Sequence, residues 1–304
     1  MVTLGILFPG AVRHSQKSGT TRDIRRKGWG SMTQGSTYPG PLGREQVRLD
    51  TDVPHIARVY DYWLGGKDNY AADREVAEKV IATGNQVTHN VRANRAFLGR
   101  AVHHLAAEAG VRQFLDLGTG LPSADNTHEV AQRVAPESRI VYTDNDPIVL
   151  VHARALLTGS SLGVTTYIHG DVRDTDRILA EARQTLDFTR PVAVVMAGLM
   201  HCIPDEDDPA GLVAKVLASI PSGSYLALSQ PAADINASGM ARAGVVMDQL
   251  MPVKITYRTR EQVARFFDGT ELLDPGLVSA PQWRPAPGAD TTPRSVWAGV
   301  GRKP

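Results

Sequence analysis

The stretch Phe114-Leu115-Asp116-Leu117-Gly118-Thr119-Gly120 constrains this chain more than any other. It reads as a buried strand that ends in an acid and runs straight into a glycine turn. A second apolar run, Arg139-Ile140-Val141-Tyr142-Thr143-Asp144, also ends in an acid. A glycine turn after a strand lets a nucleotide-like ligand approach the backbone, and an acid closing the next strand can accept hydrogen bonds from ribose hydroxyls. Asp116 discriminates between cofactors. Beside the pyrophosphate of a dinucleotide its charge repels, whereas beside the ammonium and sulfonium of S-adenosylmethionine it attracts. The third glycine of the dinucleotide fingerprint is also missing, with Ser123 and its neighbours in that region, which weakens a nicotinamide reading further.

From Gly110 onward strand and helix patterns alternate. Strands are expected at 112–117, 139–144, 164–169, 191–196 and 223–229, with helices at 125–135, 147–158, 174–186 and 208–219. Such alternation predicts a parallel sheet with right-handed crossovers. The tail differs, with a helix near Arg260–Phe267, a strand near Glu271–Leu277 and a last strand near Ser295–Gly301. A closing hairpin of this kind would insert an antiparallel strand. The fold class is therefore α/β, a Rossmann-like, mostly parallel sheet with one antiparallel strand near the C-terminus, preceded by helices that would cap it.

That cap is expected over 51–109. Ile56, Val59, Tyr60 and Trp63 fall on one helical face, Gly65-Gly66 stops the helix, and Pro54 suits its first turn. Further helices are expected over Asp73–Ala82 and Arg92–Ala109. Residues 1–50 are rich in Gly, Ser, Thr, Arg and Pro and read as disordered. Met32 offers a second plausible start behind Arg25-Arg26-Lys27-Gly28, whose codons would be purine-rich, so 1–31 is expected to be an over-called start. Residues 110–304 form the ligand-binding domain in this reading.

Composition excludes several functions. The 33 basic and 32 acidic side chains among 304 residues give no global electrostatic case for nucleic acid or membrane as partner. One cysteine, Cys202, leaves no internal disulfide and no multi-cysteine zinc site, and fits a reducing cytoplasm. No metal site is expected. No apolar run is long enough to span a bilayer. Oligomeric state is not legible.

In open α/β sheets ligands bind at the carboxyl ends of the strands. Asp116, Gly118, Thr119 and Gly120 end the first strand, and the helix after them would offer N–H groups to a methionine carboxylate. Asp144 and Asn145 end the second and would bind the ribose. Asp171 and Val172 end the third, where the carboxylate either accepts from the adenine amino group or caps the next helix. Met196–His201 ends the fourth and should line the space around the transferable methyl. His201 is either a general base or a loop brace, and Tyr62 is the second candidate base. The acidic run Asp205–Asp208 reads as a helix start.

The segment Tyr60-Asp61-Tyr62-Trp63-Leu64-Gly65-Gly66-Lys67-Asp68-Asn69-Tyr70 packs aromatic and charged groups around a glycine pair, as a lid would or as a packed turn would. With Ala57–Asp73, Ala93–Leu98, Phe114–Pro122, Val141–Pro147, Pro204–Pro209, Ala264–Gly269 and Ala298–Gly301, it makes the chain resemble the actinobacterial S-adenosyl methyltransferase family, long catalogued as a domain of unknown function. The likeness runs from about residue 50 to the end. It implies a class I methyltransferase fold with an N-terminal helical cap and S-adenosylmethionine as ligand, places Asp116, Gly118, Gly120, Asp144 and Asp171 around it, and favours a lid role for Gly66, Lys67, Asp68 and Asn69. It supplies no acceptor. Where the family usually reads Ser-His-Ala after the fifth strand, this chain has Ser229-Gln230-Pro231.

The expected activity is methyl transfer to a small-molecule acceptor. A non-catalytic sensor of S-adenosylmethionine and an NAD(P)-dependent oxidoreductase are the alternatives.

Overall fold

Strand β3 (Gln113–Leu117) sits at the centre of the sheet, covered on both faces, every residue of it being buried. Its parallel neighbours are β4 (Arg139–Asp144) and β6 (Ala193–Ala197), with β5 (Val164–His169) outside β4 and β7 (Tyr225–Pro231) outside β6. The final strand β10 (Val296–Arg302) joins β7 antiparallel, and the short β8 (Glu271–Leu272) and β9 (Val278–Ser279) pair with β10. The order β5-β4-β3-β6-β7-β10-β8 reverses direction between β3 and β6, which opens a crevice at their carboxyl ends. This is the expected class I methyltransferase sheet.

The computed structural model describes Thr37–Tyr38, Val47–Arg48 and residues 50–304 except 157–158; for residue 150 and residues 153–156 it describes the backbone alone. The expectation of disorder over 1–50, and the question of the Met32 start, otherwise lie outside the described residues. Thr37–Tyr38 (β1) and Val47–Arg48 (β2) pair antiparallel, a ribbon that the composition of this segment did not predict.

Alternation along each strand sends side chains to two cores. Leu115, Leu117, Val194, Met196, Leu226 and Leu228 meet α6 (Thr175–Ala182), α7 (Pro209–Ala218) and α9 (Arg260–Ala264). On the other face Phe114, Ile140, Tyr142, Val195 and Ala227 meet α3 (Val87–Ala107) and α4 (Thr127–Val134). α5 (Pro147–Leu156) follows β4. A third core joins α1 (Ile56–Leu64) and α2 (Ala71–Ala82) to α8 (Ala237–Leu250) through Val59, Trp63, Val80, Val91, Ala243 and Met247. The helical cap is thus seated on the sheet by α3 and closed from the far side by α8. No helix among the described residues is long and apolar enough to cross a membrane.

Several boundaries differ from the sequence reading for identifiable reasons. Pro54 lies outside α1, because His55 takes the cap position and its Nδ1 accepts from the Ala57 N–H at 3.3 Å. α3 starts five residues earlier than expected, where Asn85 Oδ1 accepts from the Val87 N–H at 3.0 Å and ends the turn. The strand expected over Glu271–Leu277 stops at Leu272, because Asp274-Pro275-Gly276 follows: proline has no N–H to pair and Gly276 has φ +87°. α8 was not anticipated at all.

Candidate functional site

The glycine turn is tied to the neighbouring strand at three points. Gly118 and Thr119 N–H both donate to the Thr143 carbonyl, at 2.9 and 3.0 Å, and Gly120 N–H donates to Asp144 Oδ2 at 2.8 Å. Gly118 and Gly120 have φ +69° and +68°, a region L side chains avoid. A Cβ on Gly118 would overlap Leu199, whereas nothing stands near Gly120, so the turn leaves open space on its cleft side.

Asp144 is buried yet lines that cleft. Its Oδ1 accepts from the Asp146 N–H at 2.9 Å, so each oxygen carries one N–H bond and retains a lone pair toward the cavity. Burial raises its pKa, against the lowering effect of these two bonds. The cleft, with a cavity of ≈ 150 Å³, gathers Gly118, Thr119, Gly120, Asp144, Asn145, Asp171, Val172 and His201 from the expected site. All come from the carboxyl ends of β3, β4, β5 and β6.

Asp116 is placed otherwise. It is buried beneath the turn, accepts from Thr127 Oγ1 at 2.6 Å, and is not among the cleft-lining residues. Burial pushes its pKa up to about 6 despite that bond. The helix expected to offer N–H groups directly after the glycines begins only at Thr127, and Asn126 and Glu129 cap it reciprocally. Neither Thr127 nor His128 lines the cleft, which corrects the expectation of a carboxylate at that helix end.

Asp171 does not cap α6, whose cap position is Asp174. It stands on the cleft wall, where Arg173 grips it through Nε at 2.9 Å and a terminal nitrogen at 2.6 Å, and this holds its carboxyl below the usual range. Asp208 caps α7, accepting from the Gly211 N–H at 3.0 Å, while Asp205 pairs with Arg258 at 2.7 Å.

Tyr62 is not brought to the cleft. Its hydroxyl donates to Glu78 Oε1 at 3.0 Å on the exposed side of α1, so the structure removes it as a candidate base. Lys67, Asp68, Asn69 and Gly66 do not line the cleft either, so the structure does not bring them to the wall where direct cofactor contact was expected. Asp61 does line it, and Asp61 Oδ2 accepts from the Asp68 N–H and Asn69 Nδ2, both at 2.9 Å. The glycine-rich loop wraps this carboxylate, and a Cβ on Gly66 would overlap it. At position 230, the departure from the family pattern, Gln230 is fully buried; its Nε2 donates to the Thr256 carbonyl at 2.9 Å and its Oε1 has no partner.

His201 lies on a single 3₁₀ turn, Met200–Cys202, after β6. It is buried, its Nδ1 has no hydrogen-bond partner, and burial together with Arg258 drives its pKa down to about 4. The neighbouring Cys202 thiol is pushed up to about 12 by burial and by Asp144.

Sequence reasoning missed three contributors. Arg95 lines the cleft, and its buried Nε has no partner while a terminal nitrogen donates to the Ala124 carbonyl at 2.9 Å. Asn94 lines it too, one turn position away in the same quoted block. Arg58 anchors the cap to the loop after β4, with its Nε 3.4 Å from Asp146 Oδ2 and a terminal nitrogen 3.6 Å from the buried Asp73. The Ala57–Asp73 and Ala93–Leu98 blocks held the signal for Arg58, Arg95 and Asn94, but only the fold shows what these residues face.

The chemistry of this cleft fits S-adenosylmethionine. Asp144 offers a buried acceptor for a diol, and Arg95 offers an unpaired donor for a carboxylate.

A family model described as S-adenosyl methyltransferase matches residues 43–304. The chain is also similar to a solved DUF574 family protein from Streptomyces avermitilis, at 43% identity and a TM-score of 0.80, covering 84% of this chain and all of that one. A solved protein from Thermobifida fusca is 38% identical with a TM-score of 0.78, covering 84% of this chain and 97% of that one. No curated protein matches. With 262 of its residues inside the family model, the chain belongs to the S-adenosyl methyltransferase family, whose cofactor is S-adenosylmethionine.

Proposed function

We infer that this protein transfers a methyl group from S-adenosylmethionine to a small-molecule acceptor. The observation that carries this is the meeting in one cleft of Asp144, from the end of β4, and His201, from the turn after β6. In this reading Asp144 binds the ribose hydroxyls, and Asn145, Asp171 and Val172 flank the base. Gly118, Thr119 and Gly120 let the backbone approach the ligand, and Arg95 receives the methionine carboxylate. Asp116 acts on the ammonium from beneath the turn. Gly66, Lys67, Asp68 and Asn69 serve indirectly, by holding Asp61 at the cleft wall.

S-adenosylmethionine supplies a methyl group already activated by its sulfonium. The work left to the chain is alignment of the acceptor and exclusion of water, which can remove much of such a barrier. For an acceptor that loses a proton, the His201 imidazole is the receiving group. Its low pKa keeps the imidazole neutral at neutral pH, so the lone pair is available, although a base this weak takes up the proton only as the acceptor is being methylated.

Calorimetric titration with S-adenosylhomocysteine, with NAD run in parallel, tests the reading. Micromolar binding of S-adenosylhomocysteine alone supports it. Binding of NAD alone overturns it and makes the site that of a dehydrogenase.

A further inference from the structure

A second cavity, of ≈ 60 Å³, lies beyond the cofactor cleft at the carboxyl ends of β6 and β7, between α1, α3 and α8. The two share Ile56, Tyr60, Asn94, Gly198 and His201 as common wall. Its remaining surface is mostly apolar, with Trp63, Val91, Met240, Met247, Ile255 and Val296 the main contributors. No Asp, Glu, Lys or Arg lines it.

Apart from the Tyr257 hydroxyl, the polar groups around this cavity are largely committed to the frame. Asn94 Nδ2 donates to the Tyr60 hydroxyl at 2.9 Å, and its Oδ1 accepts from Ser229 Oγ at 2.5 Å. Asn90 Oδ1 accepts from the Ser295 N–H at 3.1 Å, and its Nδ2 donates to the Asn85 carbonyl at 3.1 Å. Trp63 Nε1 donates to the Ala77 carbonyl at 3.2 Å. His201 differs. It is only 7% exposed, it lines both cavities, and its Nδ1 has no hydrogen-bond partner. A buried nitrogen without a partner costs free energy unless a ligand supplies one.

We propose that this second cavity is the acceptor site, and that it takes an uncharged acceptor whose apolar part sits among Trp63, Val91, Met240 and Met247 while its polar group reaches His201. This rests on the methyltransferase reading above. Charged acceptors are rejected because nothing in the cavity pairs with an ion, and burying an unpaired charge is costly. The size of the cavity limits the inserted part to a short aliphatic group, since a cavity of about 150 Å³ is what holds a benzene ring.

The test uses three probes with one apolar group and different heads: 3-methylbutan-1-ol, isovalerate and isopentylammonium. Each is added to the protein saturated with S-adenosylhomocysteine, and binding is read by saturation-transfer NMR. The alcohol is expected to bind and the two ions to give at least fivefold weaker signals. Val91→Phe and Met240→Phe each fill the cavity without touching the cofactor cleft. Both should abolish the alcohol signal and leave the affinity for S-adenosylhomocysteine within twofold, which also reports that the variants are folded. Equal signals from the ions, or an alcohol signal that persists in both folded variants, overturn the proposal. Failure of the wild-type protein to bind S-adenosylhomocysteine is a separate result. It strikes the methyltransferase reading, while the selectivity of the cavity is still read from the three probes alone.

Discussion

Asp144 closes the glycine turn from the neighbouring strand: its Oδ2 accepts the Gly120 N–H at 2.8 Å while its Oδ1 accepts the Asp146 N–H at 2.9 Å. One carboxylate therefore shapes the turn, fixes the loop that receives the cap, and faces the cleft. Asp144→Ala should weaken S-adenosylhomocysteine binding by about 1–3 kcal/mol, roughly 5- to 150-fold in Kd, as expected for leaving hydrogen-bonding groups unpaired. An unchanged Kd by calorimetry would remove Asp144 from the ribose role.

Asp116 predicts a pH-dependent stability. Its pKa is raised from 3.8 to about 6 in the folded chain, so the folded state holds this proton more tightly than the unfolded one. The cost of carrying its charge is therefore complete above that value and is relieved as pH falls toward 3.8. Asp116→Asn keeps an acceptor for Thr127 and removes the charge. It should stabilise the protein by something on the order of 2–3 kcal/mol at about pH 8 and by much less near pH 4. Urea unfolding at the two pH values measures the difference, and an identical shift at both sinks the argument.

The parallel core of the sheet was legible because its strands are continuous apolar runs closed by glycine or acid, as in Phe114–Gly120 and Arg139–Asp144. α8 was not. Its buried face is Gly239, Met240, Ala243 and Met247, two methionines separated by small residues, a pattern too sparse to stand out in periodicity, and it is covered by the cap helices. The site divided in the same way. Asp144 and His201 follow strand ends and could be found by rule, whereas Arg95 and Arg58 sit on helices whose facing surface depends on how the cap docks. Tyr62 misled for that reason: it is three residues after Val59, yet it points to Glu78 and solvent.

The docking of the cap depends on a buried charge cluster. Arg58, Asp73 and Asp146 are all nearly inaccessible, with Arg58 between the two carboxylates at 3.6 and 3.4 Å. Arg58→Met leaves two buried acids without their cation and should cost about 3–5 kcal/mol of stability. Adding Asp146→Asn to that variant should recover part of the loss, because the partners are coupled. Additive losses in urea unfolding would show that Arg58 acts through its packing on Tyr70 and its hydrogen bonds to the Asp50 and Val53 carbonyls, and not through the two acids.

Gly66 is required by space and not by backbone conformation. A Cβ there would overlap the Asp61 carboxylate that the loop encloses. Gly66→Ala should therefore destabilise the protein by about 1–3 kcal/mol through overpacking. In an Asp61→Ala background the same change should be nearly neutral, since the obstructing group is gone. A full penalty in both backgrounds, read from thermal unfolding, would locate the strain elsewhere.

His201 offers the last prediction, and the one closest to chemistry. Burial and the Arg258 guanidinium lower its pKa from 6.5 to about 4. A histidine depressed in this way favours folding above its unfolded pKa, and that contribution is lost as pH falls from 6.5 toward 4. Histidine-edited NMR should show the ring neutral across the physiological range, its shifts moving only near pH 4. His201→Asn should leave the affinity for S-adenosylhomocysteine nearly unchanged while weakening 3-methylbutan-1-ol binding, because the imidazole lines both cavities and has an unpaired nitrogen to offer. A ring that titrates near 6.5 would mean that water reaches it freely, and the dry, neutral acceptor site would have to be abandoned.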